Sequence, residues 1–494
     1  MKKALFLSLF SGLLLTLAFP NYNLWISAWF GFVPLFFAIR NKSAWKAFLF
    51  SYFAGIIFWV GIIYWLIHVT LPGTVVLILY LAIYFGIFGL IFSTIDYRLS
   101  TIDPLLFISS LWVLLEYIRS HLFTGFPWAL LGYSQYLALP VIQIVDITGV
   151  WGVSFLIMTV NMTIYSLIVK KRLYLLPVLC IVFVLSYGYI KIYRAQSPKP
   201  KTKTKISVIQ ANIPQELKWD PAAQEYILDK YEHLTEAASF DQPDLIIWPE
   251  ASIPGIVGED ATSLQDTLDL SKEIKVPLLI GAVTRDNDEY FNSALLIKPS
   301  GEIAGRYDKL HLVPFGEYIP LKKFLPFLET IVPIGDITAG KEYTVFKAQS
   351  SKLKAQSKFS VLICFEDLFP ELSREFVKKG ADFMINITND AWYKKTSAPY
   401  QHLQASVFRA VENRVFLARS ANTGVSVFIS PDGKIISRVR DKFGRDIFIG
   451  GYATQEIAMQ KPSFTFYTRY GDFFPGICLL FVMYGIISLF KKGQ

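Results

Sequence analysis

The sequence predicts a polytopic α-helical membrane domain of about eight spans, joined to an α/β domain whose sheets are covered by helices. Three observations predict it. Hydrophobic residues make up 53% of the 494 residues and charged residues only 18%, against about 25% charge in ordinary soluble domains. The apolar residues gather into long runs towards both ends of the chain. Between them, from about residue 206, short β-rich runs alternate with polar helices. A purely soluble enzyme, a disordered chain and a disulfide scaffold are excluded. Three cysteines, Cys180, Cys364 and Cys478, are too few and too odd in number for a disulfide framework.

A spanning helix needs about 20 mostly apolar residues. Seven stretches before residue 195 fit, at 4–19, 24–39, 47–68, 73–95, 104–118, 148–169 and 173–193, and an eighth runs over 473–490. Met1-Lys2-Lys3 before an apolar run is compatible with a signal peptide. The region Ala18-Phe19-Pro20-Asn21 lacks a small-x-small cleavage site, however, and another run follows at once, so a retained first helix is expected.

The net charge is +9, and its placement decides what it means. Residues 1–195 hold 12 Lys and Arg against 4 Asp and Glu, and the remainder 36 against 35. The excess therefore flanks apolar runs, where it sets orientation, and the positive-inside rule puts both termini in the cytoplasm and residues 195–470 outside. Lys199, Lys201, Lys203 and Lys205 disagree locally, but long domains translocate largely regardless of charge. The near-neutral remainder offers no basic face for nucleic acid. The expected organisation is a membrane domain over 1–195, a linker over 196–205, an external domain over 206–462, and a juxtamembrane segment with the eighth span over 463–494.

The segment 119–147 is aromatic and broken by Gly and Pro. It reads as an interfacial loop or as a re-entrant piece of a lipid-facing site. Glu116 and Arg119, three apart near a helix end, form an ionisable pair at membrane depth, which is a functional hypothesis by default.

In the external domain, strands are expected at Ile206–Gln210, Leu245–Trp248, Pro277–Val283, Ser293–Lys298, Phe359–Cys364, Phe383–Thr388, Phe416–Ser420 and Val425–Ser430. Polar helices fit 221–238, 262–273, 371–379 and 400–414. The runs ALLIKPSGEIAGRYDK and VSVFISPDGKIISRVR each place a Pro-x-Gly turn between alternating strands and read as hairpins.

Three stretches deliver reactive groups at strand ends, where precise sites are built on rigid scaffolds. Glu250 follows a strand and a proline turn, Lys309 follows a hairpin, and Cys364 ends a buried strand. A thiol nucleophile needs a base or cation nearby. The acidic neighbours Glu366 and Asp367 would raise the thiol pKa, and a cation such as Lys309 would offset them. Taken alone, each of the three also fits a bland role, as a solvated Glu or Lys and a core Cys. The five histidines show no metal spacing. There is no G-x-S-x-G elbow, no phosphate loop and no dinucleotide fingerprint. Asn161 and Asn386 match the glycosylation triplet but fall inside a span and a strand.

The blocks WPEASIP, YDKLHLVPFGEYIP, ICFEDLFP and NITNDAWY resemble those of the nitrilase superfamily. GFPWALLGYSQ and the flanking spans narrow the resemblance to its membrane-embedded branch, the bacterial apolipoprotein N-acyltransferases. The resemblance covers essentially the whole chain. It implies an αββα sandwich with a Glu-Lys-Cys triad: Glu250 as general base, Lys309 as charge stabiliser, Cys364 as nucleophile. Glu317 and Glu366 resemble further required carboxylates, and Trp248, Asn292 and Arg306 lie in blocks near the site. The family often has Tyr directly after the nucleophile; Phe365 stands here, which puts a hydroxyl role at that position in doubt.

The implied reaction moves an acyl chain from a phospholipid, through a Cys364 thioester, to the α-amine of diacylglyceryl-cysteine on an apolipoprotein, at the bacterial inner membrane and without a cofactor. The apolar stretch 321–334 is either a core loop or a lipid-dipping lid, with Trp392 and Tyr393 on the same rim. Two other readings stay open: a membrane-anchored nitrilase-type amidase, and a transporter or receptor with an external binding domain.

Overall fold

The computed structural model describes residues 1–95, 104–170, 175–195, 202–259, 262–319, 337–348, 357–459 and 464–491. Its contacts divide the chain into two units. One comprises Met1–Gln196, Thr396–Gln404 and Thr465–Gln494; the other comprises Ser197–Lys395 and Ala405–Phe464.

In the first unit, helical segments stand at each of the eight apolar stretches. Only four of the described helices are long and apolar enough to cross a membrane by length and composition: Ala44–His68, Leu71–Thr94, Val150–Val169 and Leu175–Arg194. The other apolar stretches expected as spans do not meet that measure among the described residues. Lys2–Leu17, at 16 residues, is about 24 Å long, short of the roughly 30 Å of a hydrocarbon core. The stretch 24–39 is split between a 3-10 turn, Trp25–Trp29, and a short helix, Val33–Ile39. Pro104–His121 carries Glu116, Arg119 and His121 in its last turns.

Much of the segment 119–147 is packed inside this unit. Trp128, Leu130, Tyr133, Gln135 and Tyr136 are all buried within this unit. Glu116 and Arg119 explain how irregular backbone is tolerated there. Arg119 donates to the carbonyls of Phe126 (2.7 Å) and Trp128 (2.8 Å), and Glu116 accepts the Leu131 N–H (2.6 Å). Both side chains are spent on main-chain groups that no lipid could satisfy. Gln401 plays a similar part. Its carbonyl accepts from the Trp65 and Trp128 indoles, and its amide donates to the carbonyls of Pro20 and Ile62. Asn161 is buried and bonded to Phe32 and Ala28, so its glycosylation triplet is inert.

The second unit contains thirteen described strands. They are β1 (Thr202–Gln210), β2 (Leu245–Ile247), β3 (Ile256–Val257), β4 (Leu278–Asp286), β5 (Glu289–Ile297), β6 (Ile303–Asp308), β7 (Val345–Ala348), β8 (Ser357–Ile363), β9 (Phe383–Thr388), β10 (Phe416–Ala421), β11 (Val427–Ile429), β12 (Ile435–Arg438) and β13 (Gly451–Met459). One sheet has the order β13-β1-β2-β4-β5-β6, with β3 against β4; the other runs β12-β11-β10-β9-β8-β7. The two expected hairpins are the antiparallel pairs β5–β6 and β11–β12. The strand expected at 206–210 starts at Thr202 because β13, which local pattern did not reveal, pairs with it along nine residues.

The sheets pack on one another. The Ser420 hydroxyl of β10 donates to the Ile209 carbonyl of β1 (2.8 Å), and the Asn422 amide donates to the Ile213 carbonyl (2.8 Å). Helices Gln224–Ser239 and Thr262–Ile274 cover the first sheet through Ile227, Tyr231 and Leu270. Helix Pro370–Lys378 packs on the second sheet. The helix Ala398–Asn413 reaches the same sheet through Ser406, which bonds Arg419 of β10. Near-continuous apolar strands such as Phe383–Thr388 are what burial on both faces demands.

Candidate active site

The three strand-end groups come from different strands of the two sheets. Glu250 lies three residues past β2, in a turn pressed against Gly281 of β4. A Cβ at Gly281 would sit 2.7 Å from the Glu250 Cα, so no side chain fits. Ala251, next in the turn, has φ 46°, left-handed and costly for a residue with a side chain. Lys309 directly follows β6. Its N–H donates to the Asn292 carbonyl of β5 (2.9 Å), and its carbonyl accepts the Gly340 N–H (2.8 Å). Cys364 directly follows β8 at φ 53°, another left-handed position, where the chain turns from strand into a 3-10 segment, Cys364–Leu368. Asn386 of β9 donates to the Cys364 carbonyl (3.1 Å) and holds that turn.

The Lys309 ammonium donates to Glu317 Oε1 (2.9 Å) and lies 3.5 Å from Glu250 Oε1. Asn292 Nδ2 donates to the same two oxygens, at 2.8 Å each. The second oxygen of Glu250 accepts the Asn389 N–H (2.9 Å), and that of Glu317 accepts the Val313 N–H (2.8 Å). Both carboxylates are therefore fixed at each end. Burial alone would push the Lys309 ammonium down, but Glu317 and Glu250 more than offset it and hold its pKa above the ordinary lysine value.

The Cys364 thiol is raised well above the ordinary value, first by burial and then by the negative charge of Glu250; Lys309 opposes this in part. A thiol in this state holds its proton at rest. The acidic pair beside it contributes differently from the sequence expectation. Glu366 points away and accepts N–H groups from Ile363 (2.7 Å), Leu310 (2.7 Å) and His311 (3.1 Å), as well as the Tyr307 hydroxyl. Asp367 pairs with Arg419 at 3.1 Å. Glu366 thus ties the segment after Lys309 to the turn that carries Cys364. Burial lifts its pKa to about 7 against those hydrogen bonds.

The comparisons with known proteins bear on both halves of the chain. Residues 11–163 match the model of the apolipoprotein N-acyltransferase N-terminal domain, and residues 205–459 match that of the carbon-nitrogen hydrolases. An apolipoprotein N-acyltransferase of Geobacter metallireducens is 38% identical over 96% of this chain and 92% of its own. That of Haemophilus ducreyi is 31% identical over 95% and 93%. The chain belongs to the apolipoprotein N-acyltransferase family.

Among solved structures, an amidase from Nesterenkonia sp. AN1, of the nitrilase superfamily, aligns at 18% identity with a TM-score of 0.41, covering 56% of this chain and 96% of its own. Saccharomyces cerevisiae Nit3 aligns at 20% identity with a TM-score of 0.40, covering 56% and 97%.

Within this member of the acyltransferase family, the residues singled out from sequence divide into two groups. Glu250, Asn292, Lys309 and Glu317 bond directly to one another, Cys364 lies within their electrostatic reach, and Glu366 braces the scaffold behind them. Trp248, Arg306 and Phe365 stand apart from that cluster. Trp248 is core: fully buried, stacked on Tyr231 at 4.6 Å and bonded to Thr235. Arg306 pairs with Asp308 (2.6 Å) and lies over the Phe291 ring. Phe365 packs against Phe369.

Sequence reasoning missed Asn389 and Tyr307. Asn389 sits inside a block that was noticed, NITNDAWY, but it holds Glu250 with a main-chain N–H, which leaves no side-chain signature. The stretch 321–334, with Phe324 and Leu325, lies outside the described residues. Trp392 is half exposed.

Proposed function

We propose that this chain transfers an acyl chain from a membrane phospholipid, through a thioester on Cys364, to the N-terminal α-amine of diacylglyceryl-cysteine on apolipoproteins. The observation that carries the reading is the buried Lys309 ammonium set between Glu250 and Glu317, with the Cys364 thiol electrostatically coupled to Glu250 and Lys309. It stands in a chain related along nearly its full length to curated acyltransferases.

The protonated resting thiol dictates the order of events. Glu250 takes the Cys364 proton as sulfur attacks the ester carbonyl, because a free thiolate would be costly in this environment. The tetrahedral oxyanion develops beside the Lys309 ammonium, a fixed charge that needs no reorganisation. On collapse the carbon–oxygen bond breaks, and Glu250 returns the proton to the departing lysophospholipid. In the second half the α-amine attacks the thioester carbonyl and Glu250 accepts the amine proton. The carbon–sulfur bond then breaks and the proton returns to sulfur. Glu317 and Asn292 keep Lys309 and Glu250 at working distance throughout. The reading includes eight membrane segments, cytoplasmic termini and a periplasmic catalytic domain at the inner membrane.

Incubation with radiolabelled phospholipid tests this directly. A hydroxylamine-sensitive acyl adduct on Cys364 is expected, chased to a diacylated lipopeptide. Acylation of the lipopeptide by Cys364→Ala would overturn the mechanism. Hydrolysis of soluble amides without adduct transfer would favour the amidase reading, and ligand binding unaffected by loss of the thiol the receptor reading.

A further inference from the structure

Lys218 is a second buried lysine beside the site, and neither the triad nor its carboxylate partners account for it. It closes a 3-10 turn, Gln215–Leu217, that follows β1. Its residue is only 6% exposed, yet among the described residues no carboxylate pairs with its ammonium. Instead it donates to two consecutive main-chain carbonyls, Glu250 and Ala251, at 3.0 Å each. Burying a cation without a salt bridge is expensive, so a position that needed only packing would be better filled by an apolar side chain.

What Lys218 grips is the turn carrying Glu250. That turn is held in place by contact, not by preference, since Ala251 is left-handed and Gly281 abuts it. The same 3-10 segment reaches Glu250 a second way. Gln215 Oε1 accepts from the Asn389 side chain (2.7 Å), while the Asn389 N–H donates to Glu250 Oε2 (2.9 Å). The Asn389 side-chain oxygen in turn accepts from Asn422 (3.0 Å). The main chain and the carboxylate of Glu250 are thus both set by one short segment.

We infer that Gln215 and Lys218 are positioning residues that fix the Glu250 carboxylate for proton transfer with Cys364, an inference that rests on Glu250 being the base. The charge of Lys218 is also felt by Glu250 and Cys364, and burial depresses its own pKa to about 8.

The test uses the full chain and a readout independent of lipid: the rate of iodoacetamide alkylation at Cys364, followed by mass spectrometry of the Cys364 peptide at neutral pH. Glu250→Gln is expected to slow alkylation at least tenfold. Lys218→Met is expected to slow it by a similar factor, Lys218→Arg, which keeps two donors, to recover most of the rate, and Gln215→Ala to slow it several-fold. In the Glu250→Gln background, Lys218→Met should add less than twofold. If Lys218→Met reacts at the wild-type rate while Glu250→Gln is slow, the inference is overturned. The same holds if its effect persists undiminished in the Glu250→Gln background. If Lys218→Met does not fold, Gln215→Ala decides by the same double-variant comparison. A Glu250→Gln variant that reacts at the wild-type rate would instead remove Glu250 as the base, a distinct result.

Discussion

Glu116 and Arg119 in the membrane unit, and Glu250 and Lys309 in the catalytic unit, are all nearly fully buried charges. Their bonds go to different places. Arg119 spends its guanidinium on the carbonyls of Phe126 and Trp128, and Glu116 accepts from Leu131, so the pair holds irregular backbone in an apolar bundle. Lys309, Glu250 and Glu317 face one another across side-chain contacts, while the main-chain N–H groups of Asn389 and Val313 anchor only the far carboxylate oxygens. A buried charge that satisfies backbone is structural reinforcement. A set of buried charges that satisfy one another can exchange a proton without disturbing the chain around them.

Breaking each pair should expose the difference. The largest effect is expected at Lys309→Met, which should cut Cys364 acylation by roughly 10³-fold, the scale of losing an oxyanion partner. The loss should persist per folded molecule, with the folded fraction taken from thermal unfolding in detergent because Glu250 and Glu317 also lose their cation; radiolabel incorporation per folded molecule near wild type would erase the contrast. Arg119→Met should show the reverse pattern. We expect a loss of about 3 kcal/mol in stability, because removing one buried charge leaves its backbone partners unpaired. Acylation per folded molecule should stay near wild type. Next in size, Asn292→Ala should slow acylation by about 10- to 30-fold, near 2 kcal/mol, since Asn292 only bridges the two carboxylates.

The last effect, read as a slope with pH and not as a loss of activity, concerns Glu366. Folding raises its pKa from 4.5 to about 7. The neutral form is therefore favoured in the folded state, and the stability it brings is present below pH 4.5 and lost as the pH rises through 7. Unfolding midpoints measured across that window should fall with pH, and Glu366→Gln should flatten the slope. An unchanged slope in that variant would show that other groups govern it.

Much of this was legible in the sequence. Glu250 follows an apolar run and a proline turn, Lys309 a hairpin and Cys364 an apolar run, and strand patterning is local, so their positions at strand ends could be read directly. β13 could not: its partner β1 lies some 250 residues earlier, and pairing at that separation leaves no local trace. Eight apolar runs were read where four described helices meet the length and composition of a span, because hydropathy registers apolar runs without asking whether the backbone stays α-helical, as it does not at the 3-10 turn Trp25–Trp29. The segment 119–147 looked interfacial because its Gly and Pro break helices. It is buried because Glu116 and Arg119, read only as a pair, supply its missing hydrogen bonds. Lys218 carries no signal in QELKWD, since bonding to carbonyls far along the chain has no one-dimensional signature.

The pairing of β1 with β13 has a consequence for protein engineering. Thr202 stands opposite Met459, so the first and last strands of the catalytic unit run side by side with their outer ends about 5 Å apart. Entry and exit share one corner, so a few residues could link the two ends there without stretching either sheet. Two cuts at that corner do not free the unit, because the chain also leaves it after Lys395 and returns only at Ala405.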